Sequence, residues 1–206
     1  METLHLIPWF DICISDMSDG NMSDSSVCPW IKRSIHQSHR TDIHIITEWN
    51  QDIPFTEVDW VYTKISWVTI GALYADCPII VLIGEGECAV LHSGWRGTKA
   101  HIVSSGLALF ETPREDIYAY IGPHISEDSY EVGREFMPHF PDRYFSASWD
   151  RIAFDIGQYI IDDLIGLSVE RSHIIVHGGD TFSDPRYPSY RRDKTSLRST
   201  VAVTRI

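Results

Sequence analysis

Ile79-Ile80-Val81-Leu82-Ile83-Gly84-Glu85-Gly86-Glu87-Cys88-Ala89-Val90-Leu91-His92 is the stretch on which the fold reading turns. Two short runs rich in aliphatic residues, Ile79 to Ile83 and Cys88 to Leu91, flank a glycine-containing connection, the pattern of an antiparallel hairpin. A hairpin closing on Glu85-Gly86 sets Ile79 opposite His92. Cys77 precedes Ile79 by two residues, so it shares a face with it and lies diagonal to His92, about 7–8 Å away at the backbone. A thiolate and an imidazole at that separation can share one zinc ion or form a nucleophile and base pair, and spacing alone leaves both open. Taken singly, each residue type more often serves packing or the surface. Context favours chemistry: Ala75-Asp76-Cys77-Pro78 breaks an apolar run, and His92-Ser93-Gly94-Trp95-Arg96-Gly97-Thr98 follows a strand and opens a helix, with two glycines that allow close backbone approach.

Outward from the hairpin, apolar spacing predicts a helix over Thr98 to Phe110, a strand over Ile117 to Ile121, a helix over Asp128 to Met137 closed by Pro138, and a helix over Ile156 to Leu164 ending near Gly166. Further strands are predicted over Ile43 to Thr47, Trp60 to Thr69, Ile174 to Val176 and Val201 to Thr204. Residues 11–26, rich in Ser, Asp and Gly without a base, read as a solvated arm whose first few residues alone are strand-like. No repeat or linker divides the chain. The expectation is one α+β (mixed α/β) domain over 1–206, with a mixed, partly antiparallel sheet flanked by helices.

Composition narrows the partners. Among 206 residues, 17 Lys and Arg against 29 Asp and Glu give a net charge of −12, which repels nucleic acid backbones and anionic membranes. Met1 to Phe10 lacks the features of a signal peptide, and no apolar run approaches membrane-spanning length. A cytoplasmic protein with reduced thiols is expected, with Cys13, Cys28 and Cys88 as packing residues.

Five ordered elements carry a family resemblance: Gln37-Ser38-His39-Arg40, Ala75-Asp76-Cys77-Pro78, Leu91 to Gly97, Ile121-Gly122-Pro123 with Tyr130-Glu131-Val132-Gly133, and Ser189-Tyr190-Arg191-Arg192-Asp193-Lys194. They resemble the QVHG, ADCLP, HAGWRG, IGP…YEVG and SYRRD elements of the YfiH-type proteins, also called the laccase-domain or multicopper polyphenol oxidase family. The resemblance implies a metal site of His39, Cys77 and His92, three protein ligands leaving a fourth tetrahedral position open, as in catalytic zinc centres. It implies a fold similar to that of cysteine-dependent deamidase toxins. It also implies a zinc-dependent enzyme acting on a small molecule, phosphorolysing adenosine or inosine to free base and ribose 1-phosphate. Adenosine deaminase and methylthioadenosine phosphorylase activities belong to some members, and bacterial relatives are linked to peptidoglycan precursor editing.

Cys77 and His92 are the candidate catalytic residues, and Arg96, Arg191 and Arg192 the candidate phosphate-binding residues, because guanidinium forks bind phosphate bidentately. The last 21 residues support this: Arg186, Arg191, Arg192, Lys194, Arg198 and Arg205 face only Asp193, a local charge of +5. His124 could act as an acid or base, and Asp76 could orient a ligand or cap a turn. Copper would also accept the His and Cys donors. A multicopper oxidase, however, needs clustered histidine pairs, and His5, His36, His44, His101, His124, His139, His173 and His177 show none.

The N-terminal arm, about 1–34, is short for the family, with Met17 where a phosphate-contacting arginine is expected. Gly178-Gly179-Asp180-Thr181-Phe182-Ser183 lacks the family's Cys-Thr pair. Alternatives to the phosphorylase are a cysteine hydrolase or amidase acting on a peptidoglycan precursor, a copper-dependent polyphenol oxidase, and a nucleoside-binding protein without turnover. A monomer is expected.

Overall fold

The computed structural model describes residues 1–33, 37–49, 57–148 and 150–206; His36 lies outside them. Strands β1 (Glu2–Ile7), β2 (Phe10–Ile14), β3 (Ile31–Arg33), β4 (Ile43–Ile46), β5 (Trp60–Thr63) and β6 (Thr69–Tyr74) lead to the hairpin β7 (Ile79–Gly84) and β8 (Glu87–His92). Helices α1 (Trp95–Lys99) and α2 (Ile102–Leu107) follow, then β9 (Tyr118–Ile121), β10 (Glu131–Val132), β11 (Phe145–Ser148) and β12 (Arg151–Phe154). The chain continues through α3 (Ile156–Gly166), β13 (Ile174–Val176), α4 (Tyr190–Asp193) and β14 (Ser199–Arg205).

The described strands form three sheets. A six-stranded sheet runs β13-β9-β7-β8-β5-β4, a five-stranded one β1-β2-β14-β6-β3, and a three-stranded one β10-β12-β11. The β7–β8 hairpin is central to the first and antiparallel, while β13 joins β9 and β4 joins β5 in parallel. This is a mixed α+β fold.

Alternation along β7 explains the unbroken apolar run there. Ile80 and Leu82 face the helices, packing with Leu91, Ile102, Leu107, Ile160 and Leu164. Ile79, Val81 and Ile83 face the five-stranded sheet, packing with Ile12, Ile70, Tyr74, Val201 and Val203. A sheet covered on both sides needs apolar residues at both parities. Gly106 in α2 brings that helix onto the sheet, since a Cβ there would lie 2.7 Å from Leu91 Cδ2.

Four sequence expectations are corrected. The helix expected over Thr98 to Phe110 begins earlier and is broken at His101, which takes the left-handed conformation (φ 58°) between α1 and α2. The extended stretch over Trp60 to Thr69 is two strands in different sheets, parted by Trp67 at φ 66°. Asp128 to Met137 is not an α-helix: buried Tyr130 and Val132 alternate with exposed Glu131, and a 3-10 segment over Arg134–His139 follows. The helical spacing there was the chance overlap of a period-two strand with an aromatic cluster.

The fourth correction concerns the arm, whose strand-like first residues do form β2 but whose remainder is not solvated throughout. Strand β2 lies between β1 and β14, with Ile12 and Ile14 buried, and Met22 is fully buried. The Ser, Asp and Gly residues make turns whose side chains cap backbone N–H groups, such as Asp16 accepting from Ser18. These turns carry one deep anchor. Met22→Ala should therefore lower unfolding free energy by roughly 2–5 kcal/mol in urea titrations, and Met17→Ala, at a 40% exposed position, by less than about 0.5 kcal/mol.

Candidate metal centre

The structure brings His39, Cys77 and His92 together, with one potential ligand atom from each lying within 4.8 Å of the others. Among the described residues this is the group of His, Cys, Asp and Glu side chains so arranged. Two come from the hairpin: Ile79 pairs with His92, and Cys77 stands just before β7. Ser93 N donates to Pro78 O at 2.8 Å, closing the pair beyond the strand ends. His39 arrives from the segment before β4, with its ring 4.7 Å from that of His92 between centroids, edge to face.

One carboxylate positions both histidines. Asp59, immediately before β5, has a fully buried side chain. Its Oδ1 lies 3.2 Å from His92 Nδ1 and accepts from His39 N at 2.8 Å, while Oδ2 accepts from Arg40 N at 2.8 Å and Ser38 Oγ at 2.5 Å. Its carbonyl also accepts from His92 N at 2.7 Å. His39 sits at φ 57°, a conformation costing a non-glycine residue about 1–2 kcal/mol, and the two N–H bonds to Asp59 offset that strain. On His92 the bond keeps a proton on Nδ1, so that Nε2 becomes the metal donor once its own proton is released.

Charge follows the same geometry. Burial opposes ionisation of Asp59, but hydrogen bonds from His92, Ser38 and Arg40 N hold its carboxyl down at about 2. Burial also opposes a charged His92, yet its bonds to Asp59 and Cys77 raise it to about 9. Burial, with His92 next, lowers His39 to about 4. The metal-free site thus holds one imidazolium over a buried carboxylate beside a neutral imidazole.

Glycine makes the room. A Cβ on Gly94 would lie 3.2 Å from Cys77 Sγ, 3.3 Å from His39 Nδ1 and 3.4 Å from His92 Cε1, so a side chain there would fill the space between the three donors. Gly97 has a different role from close approach to a ligand: its Cβ would lie 3.0 Å from Arg40 O, so it lets α1 abut the segment carrying His39. Gln37 fixes that segment from the other side, donating to Leu73 O at 3.0 Å and accepting from Leu73 N at 2.8 Å.

A thiolate and two imidazoles suit zinc, whose tetrahedral ligands at about 2.0–2.3 Å stand about 3.3–3.8 Å apart. A small rotation of the His39 ring can close that gap. The same donors suit a single copper. A multicopper centre needs several such sets, and the described residues supply one.

The other expected residues are placed as follows. Asp76 is buried at φ 87° and caps rather than ligates: Oδ1 accepts from Thr181 Oγ1 at 2.8 Å, Oδ2 from Arg191 N at 2.6 Å. It ties α4 to the residue beside Cys77. Arg191 donates to Glu131 O and lies over the Tyr130 ring, and Arg96 lies over Trp95, 4.3 Å from its centroid. Arg192 is occupied structurally, with donors to Thr181, Phe182, Asp184 and Tyr187 carbonyls and a salt bridge to Asp193. His124 is buried against α3, its Nδ1 2.8 Å from Gly122 O, and burial lowers its pKa; it is a packing residue.

Two residues escaped the sequence reading. Asp59 carried one signal, a carboxylate directly before an aromatic and β-branched strand. Arg198, named only within a basic cluster, lines a cavity of about 400 Å³ with all three candidate ligands.

Asp59→Ala should weaken zinc binding roughly 10- to 100-fold in competition with a chromogenic chelator. Gly94→Ala should weaken it at least tenfold while leaving the far-UV spectrum unchanged. Metal-free stability supplied by the pair should be full below pH 6.5 and lost as pH rises through about 9, because His92 is raised. At the acid end it should be lost as pH falls from 3.8 through about 2, because Asp59 is depressed. The Tm difference between metal-free wild type and Asp59→Ala should be greatest between pH 3.8 and 6.5 and shrink toward both extremes, persisting at the alkaline end because the bonds of Asp59 to Ser38 and to the His39 and Arg40 N–H groups remain.

The chain is similar to several known proteins. The purine nucleoside phosphorylase of Aquifex aeolicus is 36% identical over 155 residues, 75% of this chain and 74% of that one. The purine nucleoside phosphorylase YfiH of Escherichia coli is 30% identical over 190 residues, 87% and 73% of the two chains. A prokaryotic protein named adenosine deaminase RL5 is 34% identical over 105 residues, covering 48% and 39%. A Neisseria meningitidis crystal structure shares the fold at a TM-score of 0.83 with 18% identity, covering 96% and 95% of the two chains. YlmD from Geobacillus stearothermophilus shares it at 0.77 with 23% identity, over 95% and 91%. The family model described as multi-copper polyphenol oxidoreductase laccase matches residues 26–204, and the chain, with its His39, Cys77 and His92 drawn together at the hairpin's open end, belongs to that family.

Proposed function

We propose that this chain is a zinc-dependent purine nucleoside phosphorylase, acting on adenosine or inosine and extending to adenosine deamination and methylthioadenosine phosphorolysis. The observation that carries the reading is the His39, Cys77 and His92 cluster opening into a cavity of about 400 Å³, a volume suited to a small organic substrate. The names of the Aquifex aeolicus and prokaryotic relatives support the substrate class.

In phosphorolysis a phosphate oxygen forms a bond to C1′ of the ribose while the bond from C1′ to the purine nitrogen breaks. The base leaves with the electron pair and takes up a proton. His39, Cys77 and His92 would hold the zinc, which when bound supplies a Lewis acid at the substrate. Asp59 keeps His92 in the tautomer that leaves Nε2 free. Arg191 and Arg96 place positive charge beside the site, where leaving-group charge develops; Arg192 shapes the wall through its carbonyl bonds.

A second reading rests on the closeness of Cys77 and His92, whose donor atoms lie within 4.8 Å of each other, which also suits a thiolate nucleophile with an imidazole base in an amidase. The two separate cleanly. Zinc-loaded protein with inosine and phosphate should release hypoxanthine and ribose 1-phosphate, and Cys77→Ala should lower that rate at least 1000-fold. Activity that rises on chelation, with alkylation of Cys77 blocked by zinc, would establish the amidase instead. Nucleoside binding without product in any metal state would overturn both.

A further inference from the structure

Two clefts meet at Cys77. The larger, about 400 Å³, and a smaller one of about 130 Å³ share Ala75, Cys77 and Tyr190 in their walls. The smaller is walled by Trp95, Ile125, Tyr130 and Ile156, with Asp76 and Arg191 at one side, so it is largely apolar and aromatic. The larger carries more polar side chains: beyond the candidate ligands it presents Gln37, Ser23, Ser196 and Arg198, and none of its described lining residues is acidic. In a chain of net charge −12, a carboxylate-free wall carrying an arginine selects for negative charge.

Arg198 is held as a binding group. Its backbone is clamped by the N-terminal arm: Arg198 N donates to Asn21 Oδ1 at 3.0 Å, and Met22 N donates to Arg198 O at 2.8 Å. Met22, fully buried, anchors the clamp. Nη1 donates to Thr195 O at 3.0 Å and Leu197 O at 2.8 Å, which fixes one edge of the guanidinium. Among the described residues, Nε and Nη2 make no hydrogen bond and no carboxylate pairs with the group. The other C-terminal bases are engaged differently: Arg186 pairs with Asp184 and Arg192 with Asp193, Arg205 donates to Lys64 and Gly86 carbonyls, and Lys194 lies over Tyr190.

We propose that Arg198, flanked by the Ser196 and Ser23 hydroxyls, is the phosphate-binding group of this cavity. The aromatic cleft on the other side of Cys77 takes the uncharged planar part of the substrate. The short N-terminal arm, which has Met17 where an arginine was expected, then contributes by holding Arg198 in place; Met17 itself lies elsewhere, its N–H donating to Arg186 O at 2.9 Å. The assignment rests on the phosphorylase reading for its co-substrate, and its test does not depend on turnover.

Calorimetric titration of zinc-loaded wild type, Arg198→Gln and Arg198→Lys with orthophosphate, adenosine 5′-monophosphate and inosine separates the possibilities. Arg198→Gln should lose at least tenfold in phosphate affinity, Arg198→Lys should recover part of it, and zinc content and inosine affinity should stay within twofold. A loss confined to orthophosphate identifies a free co-substrate, and one confined to the nucleotide identifies an ester phosphate; both support Arg198. Equal affinity of wild type and Arg198→Gln for both orthophosphate and the nucleotide, or binding of neither by wild type, would overturn the assignment. Phosphorolysis absent from a wild type whose phosphate binding depends on Arg198 would overturn the reaction and leave the subsite intact.

Discussion

The buried carboxylate of Asp59 is the constraint on which the site depends. A charge with no exposed surface is tolerated only when its oxygens are satisfied, and Asp59 satisfies them with the imidazole of His92, the N–H groups of His39 and Arg40 and the hydroxyl of Ser38. Each of those bonds draws one segment toward a single point. His92 is at the end of β8, and the segment 38–40 would otherwise have no reason to take a left-handed turn at His39. Two histidines from segments far apart in sequence are therefore oriented by one group.

The sheets supply the frame for that point. The β7–β8 hairpin is packed on both faces, so its register is fixed by two cores at once, and a slip of one residue would exchange them. Cys77 and His92 inherit that precision at the open end of the hairpin. Around them, smaller devices complete the enclosure. Gly94 leaves room among the donors, Gly97 lets α1 approach Arg40, and Asp76 links Cys77 to α4 through Arg191 N. Thr181, in a stretch that differs from the family pattern, is the partner that keeps Asp76 bonded.

What could be read from the sequence divides along the range of the interactions. The pairing of Ile79 with His92 was legible because a tight hairpin fixes register locally. His39 was not, because nothing within its own segment shows that it meets Cys77; only the family resemblance supplied it. The role of Asp59 was hidden for the same reason, its partners lying about 20 residues before and 33 after it. Local periodicity failed where a single backbone angle decides the outcome, as at His101 and Trp67, and where a strand and an aromatic cluster mimic a helix near Tyr130. The polar composition of residues 11–26 concealed an anchor, because capping turns and solvated arms use the same residues. Of the arginines, sequence could count the charges but not show that Arg192 is occupied by carbonyls while Arg198 faces the cavity.

X-ray absorption at the metal edge, on protein purified without added metal, tests the central claim most directly. The account predicts a first shell of one sulfur at about 2.3 Å and two imidazole nitrogens at about 2.0–2.1 Å, with a further light atom completing four-coordination. A shell of nitrogen and oxygen alone, or one with two or more sulfurs, would contradict it.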